Sequence, residues 1–358
     1  MALRGIEKYQ LNPLRAARLL AHLHAALHDA WDACSPPTGN KRCAQIAQHV
    51  AASQVLEYFF PGETPGRFKA LARAALAGMS WRGDRAPDSL AADHGWRAGW
   101  GAIHRASNDR ADRALAAPGR PAPTPGTWRP TPPLYALNPT EQGAPNWQPW
   151  LLRSADEVQP PAPLAYGSPQ YAAQVMEVLE VNRKLSGEQK RIADEWNLDL
   201  GTATPAGVWN RHGVRLIAKF DLDLSSATQL LTALNLAMAD AFIACWHVKM
   251  RWWTERPITE VRERLDPHFV PYIVTPPFPG YVSGHATASG AAAAAITALL
   301  PAAGKEVRAL AEEAALSRLY GGIHFRHDND EGLRLGLEVG RLTVVRLGHT
   351  VPIQSTKR

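Results

Sequence analysis

The sequence predicts an all-α fold of packed helical bundles, and three observations carry that reading. Apolar residues recur at three- and four-residue intervals through most of the chain. Alanine is abundant in those stretches and favours helix. Alternating or β-branched runs that would make strands are scarce, and proline and glycine clusters mark the breaks between periodic stretches.

Residues 12–33 read as an amphipathic helix, with Leu20, Leu23, Leu27 and Trp31 on one face and Pro13 suited to the first turn. Helical patterns continue at 43–60, 66–79 and 88–107, broken by Pro61-Gly62 and Arg85-Ala86-Pro87. The chain then changes character. APGRPAPTPGTWRPTPP and QPPAPLAYGSP are proline-rich and interspersed with Trp128, Trp147 and Trp150. A loop this long in a compact protein is functional or a connector, and its tryptophans favour packing, so part of it is expected to drape over the bundle at a pocket mouth. Helical pattern resumes at 168–183, 186–199, 205–220, 225–255, 284–300, 304–320 and 328–347; His349 and the tail are expected to fray. This divides the chain into a helical region (1–116), a proline/tryptophan-rich loop (117–167) and a C-terminal helical bundle (168–358).

The 358 residues carry a formal net charge of +6 with no basic block or arginine-rich run, which favours small acidic ligands and excludes nucleic acid as the expected partner. No apolar leader follows Met1. The apolar stretches 230–246 and 286–300 are poor membrane spans: the first holds Asn235 and Asp240, and the second is mostly alanine beside His285. The expectation is a soluble protein without an integral membrane span. It is cytoplasmic by default, and periplasmic or secreted if the chain has been trimmed; self-association is left open. Cys34 and Cys43 flank a turn-rich loop; they can bridge if the protein is exported, but free thiols are the favoured reading, and Cys245 is read as a small core residue. His22, His24 and His28 include one pair at metal-ligand spacing but have no further ligand motif, so they are read as structural, as are His247, His268 and His327.

Three clusters in 249–328 carry chemistry. In KMRWWTERP, Lys249 and Arg256 are seven residues apart, about two helical turns, so one helix face can present both before Pro257 ends that helix. In YVSGHATASG, Ser283-Gly284-His285 feeds an alanine-rich helix, whose N-terminal N–H groups and dipole favour an anion; Gly284 permits close approach and Ser283 can donate or cap. In SRLYGGIHFRHD, the Gly321-Gly322 pair bends the chain between Arg318 and His324, and Asp328 can fix the tautomer of His324 from one turn away. Each cluster alone is weak; together they offer three cations, a helix start and two histidines for one tetrahedral oxyanion.

The pattern Lys, six residues, Arg-Pro; Ser-Gly-His; Ser-Arg, five residues, His resembles the signature of the type 2 phosphatidic acid phosphatase / vanadium-dependent haloperoxidase superfamily. Val282 stands where the family usually has proline. Trp246, Phe278 in PPFPGYVSGH, and HFRHD resemble the soluble bacterial haloperoxidase-like branch. The resemblance implies a site in the core of the C-terminal four-helix bundle, with Lys249, Arg256, Ser283, Gly284 and Arg318 as the oxyanion cradle. It implies His324 as the ligand of vanadium in vanadate, His285 as acid/base, Lys249 as a further catalytic cation, Asp328 as partner of His324, and Trp246 and Phe278 lining the pocket. The implied substrates are hydrogen peroxide and halide. The alternative is a cofactor-free, soluble acid-phosphatase-type enzyme. There His324 would attack the phosphorus of a phosphate ester and His285 would protonate the leaving oxygen.

Overall fold

The computed structural model describes residues 1–34, 40–78, 86–113, 119, 121–348 and 352–353. Among them are thirteen α-helices: α1 (Ala2–Lys8), α2 (Pro13–Asp32), α3 (Lys41–Phe59), α4 (Arg67–Gly78), α5 (Ala86–Asn108), α6 (Pro169–Arg183), α7 (Gly187–Glu195), α8 (Thr204–Lys219), α9 (Leu224–Trp252), α10 (Pro257–Arg264), α11 (Gly284–Leu299), α12 (Gly304–Tyr320) and α13 (Arg326–Arg346). The described residues hold no strand, only an isolated bridge between Thr127 and Thr254. The expected all-α architecture is what the chain adopts. The short helices α1 and α10 were not anticipated. His349 and most of the tail lie outside the described residues.

The chain forms two compact units that are not contiguous in sequence. One gathers residues 1–112 and 200–236; the other gathers 113–199 and 237–352. In the first, α2 packs against α3, α5 and α8. Asn12 caps α2 by accepting from the Arg15 N–H at 3.0 Å. Inside, Arg18 Nε donates to Asp109 at 2.7 Å, and His22 Nε2 lies 3.1 Å from the same carboxylate. Burial pulls His24 down to about 4, a neutral core ring, and His28 pairs with Asp32 at 3.3 Å. One expectation fails here: Cys34 and Cys43 form a disulfide across their nine-residue separation, whereas free thiols were expected. Spacing alone does not decide whether two cysteines nine residues apart are bridged.

The second unit is organised around α11 and α13, which pack at the distance of backbone contact. A Cβ on Gly336 would sit 2.0 Å from the Thr287 carbonyl oxygen, and one on Gly340 2.4 Å from that of Ala291. Gly290 faces the Leu333 carbonyl in the same way, at 2.6 Å, so the small-residue run of α11 exists for this approach. Helix α9 is long and apolar enough to cross a membrane by length and composition, but 89% of its most apolar window is buried. Its Asp240, fully buried, accepts backbone N–H bonds from Trp150, Leu151 and Leu152 at 2.6, 2.7 and 2.8 Å. That anchors the proline/tryptophan-rich segment. Another part of the segment runs beside the turn after α9. Trp128 N donates to the Trp253 carbonyl at 2.7 Å, and Glu255 N to that of Gly126 at 2.9 Å.

Candidate active site

Helix α9 delivers Lys249 one turn before its end, and Trp253, in the left-handed region at φ 51°, turns the chain away. This corrects the sequence expectation for Arg256. It does not share a helix face with Lys249, and Pro257 does not end α9. Arg256 is the N-cap of α10 and Pro257 is its first residue, where a fixed φ and a missing N–H cost nothing. The turn still brings both cations into one buried place. Lys249 Nζ donates to the Pro279 and Gly280 carbonyls at 2.7 and 2.8 Å. Arg256 Nε donates to the Phe278 carbonyl and Nη1 to that of Ile323, both at 2.8 Å. The Phe278 ring faces both, 5.1 Å from Lys249 Nζ and 4.9 Å from the Arg256 guanidinium carbon. Trp246 packs on Phe278 at 5.0 Å and donates from Nε1 to the Thr140 carbonyl at 2.9 Å.

Ser283 caps α11 as expected, its hydroxyl oxygen accepting from the Ala286 N–H at 3.4 Å. A Cβ on Gly284 would make only ordinary contact with Trp246, at 3.5 Å, so its protein neighbours do not demand glycine there. His285 follows in the first turn, with Nε2 2.9 Å from Arg318 Nη1, and Arg318 Nη1 also donates to the Trp196 carbonyl at 2.7 Å.

Helix α12 stops at Gly321, and Gly322 takes φ 73°, a conformation that side chains rarely adopt. The bend sets His324 just ahead of α13. Its Nδ1 lies 3.0 Å from Asp328 Oδ2 in the first turn of that helix, and the same oxygen accepts from Phe325 N at 3.2 Å. A carboxylate on Nδ1 makes it the protonated nitrogen and leaves the Nε2 lone pair as the reactive one. That Nε2 lies 2.9 Å from Arg256 Nη1. His327 turns away and stacks on Tyr281 at 5.3 Å.

The three cations are buried together and weaken one another. Burial draws Lys249 down to about 7, Arg256 to about 10 and Arg318 to about 9, and Arg256 adds its repulsion to both of the others. Burial also holds His285 and His324 well below the ordinary imidazole range, helped by Arg318 for the first and Arg256 for the second. Asp328 is pushed up by burial, against the pull of Lys249 and Arg256. Among the described residues, Arg256 Nη2 and Arg318 Nε and Nη2 are buried polar atoms with no hydrogen-bond partner. Donors left in that condition are costly, and an oxyanion is the chemistry that satisfies them.

Lys249, Arg256, Ser283, Gly284, His285, Arg318, His324 and Asp328 thus belong to one unit. Direct bonds pair Arg256 with His324, Arg318 with His285 and His324 with Asp328. Sequence reasoning did not single out the carbonyls of Trp196, Pro279, Gly280 and Ile323 that hold the cations. Main-chain oxygens carry no residue signature, so no signal for them exists.

Residues 229–309 and 302–351 match the family model of the VCPO second helical-bundle domain. By shape, the whole chain resembles a bacterial vanadium-dependent iodoperoxidase, with a TM-score of 0.83 at 24% identity over 100% of this chain and 96% of the other. Bacterial vanadium-dependent chloroperoxidases in holo and apo forms match at TM-scores of 0.73 and 0.76, each with 16% identity over 95% of this chain and 93% and 95% of theirs. No curated protein matches by sequence. The chain therefore has the vanadium-haloperoxidase fold. The residues matched by that family model include all three motif clusters, from Lys249 to Asp328.

Proposed function

We propose that the protein is a vanadium-dependent haloperoxidase, oxidising halide with hydrogen peroxide at a vanadate held on His324. The observation that carries this is the set of buried, unpartnered guanidinium N–H groups on Arg256 and Arg318 beside two neutral imidazoles. Full-length likeness to a bacterial iodoperoxidase supports the peroxidase reading over the phosphatase one. Vanadate, when bound, supplies a Lewis acid that activates peroxide toward attack by halide.

The chain's own residues set the conditions. Arg256 and Arg318 present fixed N–H donors and Lys249 a point charge in a site where burial makes each interaction count. The first turn of α11 adds N–H groups and the positive end of its dipole. Asp328 holds the Nδ1 proton of His324, so the Nε2 lone pair, which accepts from Arg256 Nη1 at 2.9 Å, is the one that would turn to a metal or phosphorus centre. His285, held neutral, accepts a proton at Nε2 and returns it. Burial is the main cause of the depressed basicity of this ring, and the arriving anion offsets the part that Arg318, Arg256 and Lys249 add.

The Cys34–Cys43 disulfide supports an oxidising compartment rather than the cytoplasm.

The test is a pair of assays on one preparation: halide oxidation with vanadate and peroxide, and phosphate release from a generic ester. Halide turnover that requires vanadate is the expected result. Ester hydrolysis alone would select the phosphatase. His324→Ala should abolish whichever activity is found, by at least about a hundredfold; wild-type turnover in that variant would end the assignment.

A further inference from the structure

The first unit holds a cavity of about 390 Å³ that the chemistry above leaves without a role. Its wall is mostly aliphatic: Leu3 of α1, Leu20 and Leu23 of α2, Val214 of α8 and Leu231 of α9. The imidazole of His24 interrupts it. That residue is 8% exposed, and among the described residues its ring has no hydrogen-bond partner; its backbone carbonyl alone is engaged, by the Thr232 hydroxyl at 3.2 Å. With its pKa drawn down to about 4 by burial, the ring stays neutral and offers one N–H donor and one lone pair.

A buried polar ring with nothing to bond is costly. The other polar side chains of the wall are already engaged. Asn210 Nδ2 donates to the Ala206 carbonyl at 2.8 Å and to Asn235 Oδ1 at 2.7 Å, and its Oδ1 accepts from Asn235 at 2.9 Å. Arg211 donates to Glu7 at 2.7 Å, and burial lowers the pKa of the Met1 amine, so the wall does not call for an anion. What remains is aliphatic surface around one neutral donor and acceptor, in a volume within the roughly 300–1,000 Å³ of small-molecule sites. We propose that this cavity binds a neutral, largely hydrocarbon molecule whose hydroxyl bonds the His24 imidazole. A hydroxyl both donates and accepts, so it matches either tautomer of the ring. Aromatic alcohols and long-chain alcohols share this chemistry.

Equilibrium dialysis of the full chain against naphthol, decanol, naphthalene and naphthoate tests the proposal. At least one of the two alcohols should bind saturably with a Kd of roughly 10–100 μM, the scale for a ligand this small. Binding of naphthol alone assigns an aromatic guest and of decanol alone a long-chain one; either supports the site. Where naphthol binds, naphthalene, which lacks only the hydroxyl, should bind about fivefold more weakly, the scale of one neutral hydrogen bond. His24→Leu should weaken whichever alcohol binds by a similar factor. Val214→Trp substitutes a side chain that is 56% exposed, so the fold should tolerate it, and the indole should fill the cavity and abolish binding. No saturable binding of either alcohol overturns the proposal, as does binding unchanged in Val214→Trp, which would put the guest elsewhere. Equal affinity in wild type and His24→Leu would show that the imidazole recognises nothing, and naphthoate binding more tightly than both alcohols would show that the site takes an anion; each overturns it too.

Discussion

At the scale of single residues, the site's chemistry turns on protons that burial has already moved. Lys249 has its pKa drawn from 10.5 to about 7, so in the ligand-free protein its ammonium is present below about 7 and lost above it. An oxyanion needs the ammonium and stabilises it. Affinity should therefore fall as pH rises through that value, and binding should take up close to one proton where the free amine is neutral. Titrations in buffers of different ionisation enthalpy measure this uptake, and Lys249→Met should remove most of it. A wild-type proton uptake equal to that of the variant would show that the lysine does not titrate on binding. These side chains were legible in the sequence because each cluster pairs a reactive residue type with its neighbours at fixed spacing: Ser283-Gly284-His285, and His324 four residues before Asp328. What held them in place was not. Lys249 hangs from two carbonyls, Arg256 from two and Arg318 from one, and a carbonyl looks the same from every residue.

At the scale of elements, the long helices followed from periodicity and caps, and the errors fell where the chain turns without glycine or proline. Helix α9 was expected to run to residue 255 because Pro257 is the visible signal; it ends at Trp252, and the next residue, Trp253, adopts positive φ. Propensity cannot announce that, because bulky residues avoid the region unless tertiary contacts hold them there. The packing of α11 on α13 was half legible: the alanine run pointed to close approach, but the partner glycines 332, 336 and 340 gave no hint of their target. Gly336→Ala should cost about 1–3 kcal/mol, the range for overpacking, because its methyl meets the backbone of α11. Gly101→Ala in α5 meets nothing within 4 Å and should instead stabilise by about 0.5–1 kcal/mol. Chemical denaturation of both variants compares them directly; equal effects would mean the α11–α13 seam has slack.

At the scale of the whole molecule, the division into two units could not be read from composition. Residues 200–236 group with the N-terminal helices, and no change of character marks either end of that stretch. The chain leaves and re-enters each unit, and a one-dimensional reading cuts only where composition changes. The first unit also holds the disulfide that spacing left undecided. Closing a loop of about ten residues should contribute about 2–3 kcal/mol, so a reductant should lower the denaturation midpoint, while Cys34→Ser/Cys43→Ser should be indifferent to it. Cys245 is buried and should not complicate the comparison. A wild-type midpoint unmoved by reductant would show that the bridge adds no stability.

The carbonyl tethers have a consequence for how such a protein can change over generations. Peptide oxygens at Pro279, Gly280, Ile323 and Trp196 are supplied whatever side chain the codon specifies. Mutation can explore Pro279, Ile323 and Trp196, and with them the environment around the guest, without surrendering the three cations, while Gly280 is held as glycine by the Glu255 carbonyl 2.7 Å from where its Cβ would stand. A lineage built this way is free to retune which molecules it accepts while its central anion trap stays the same.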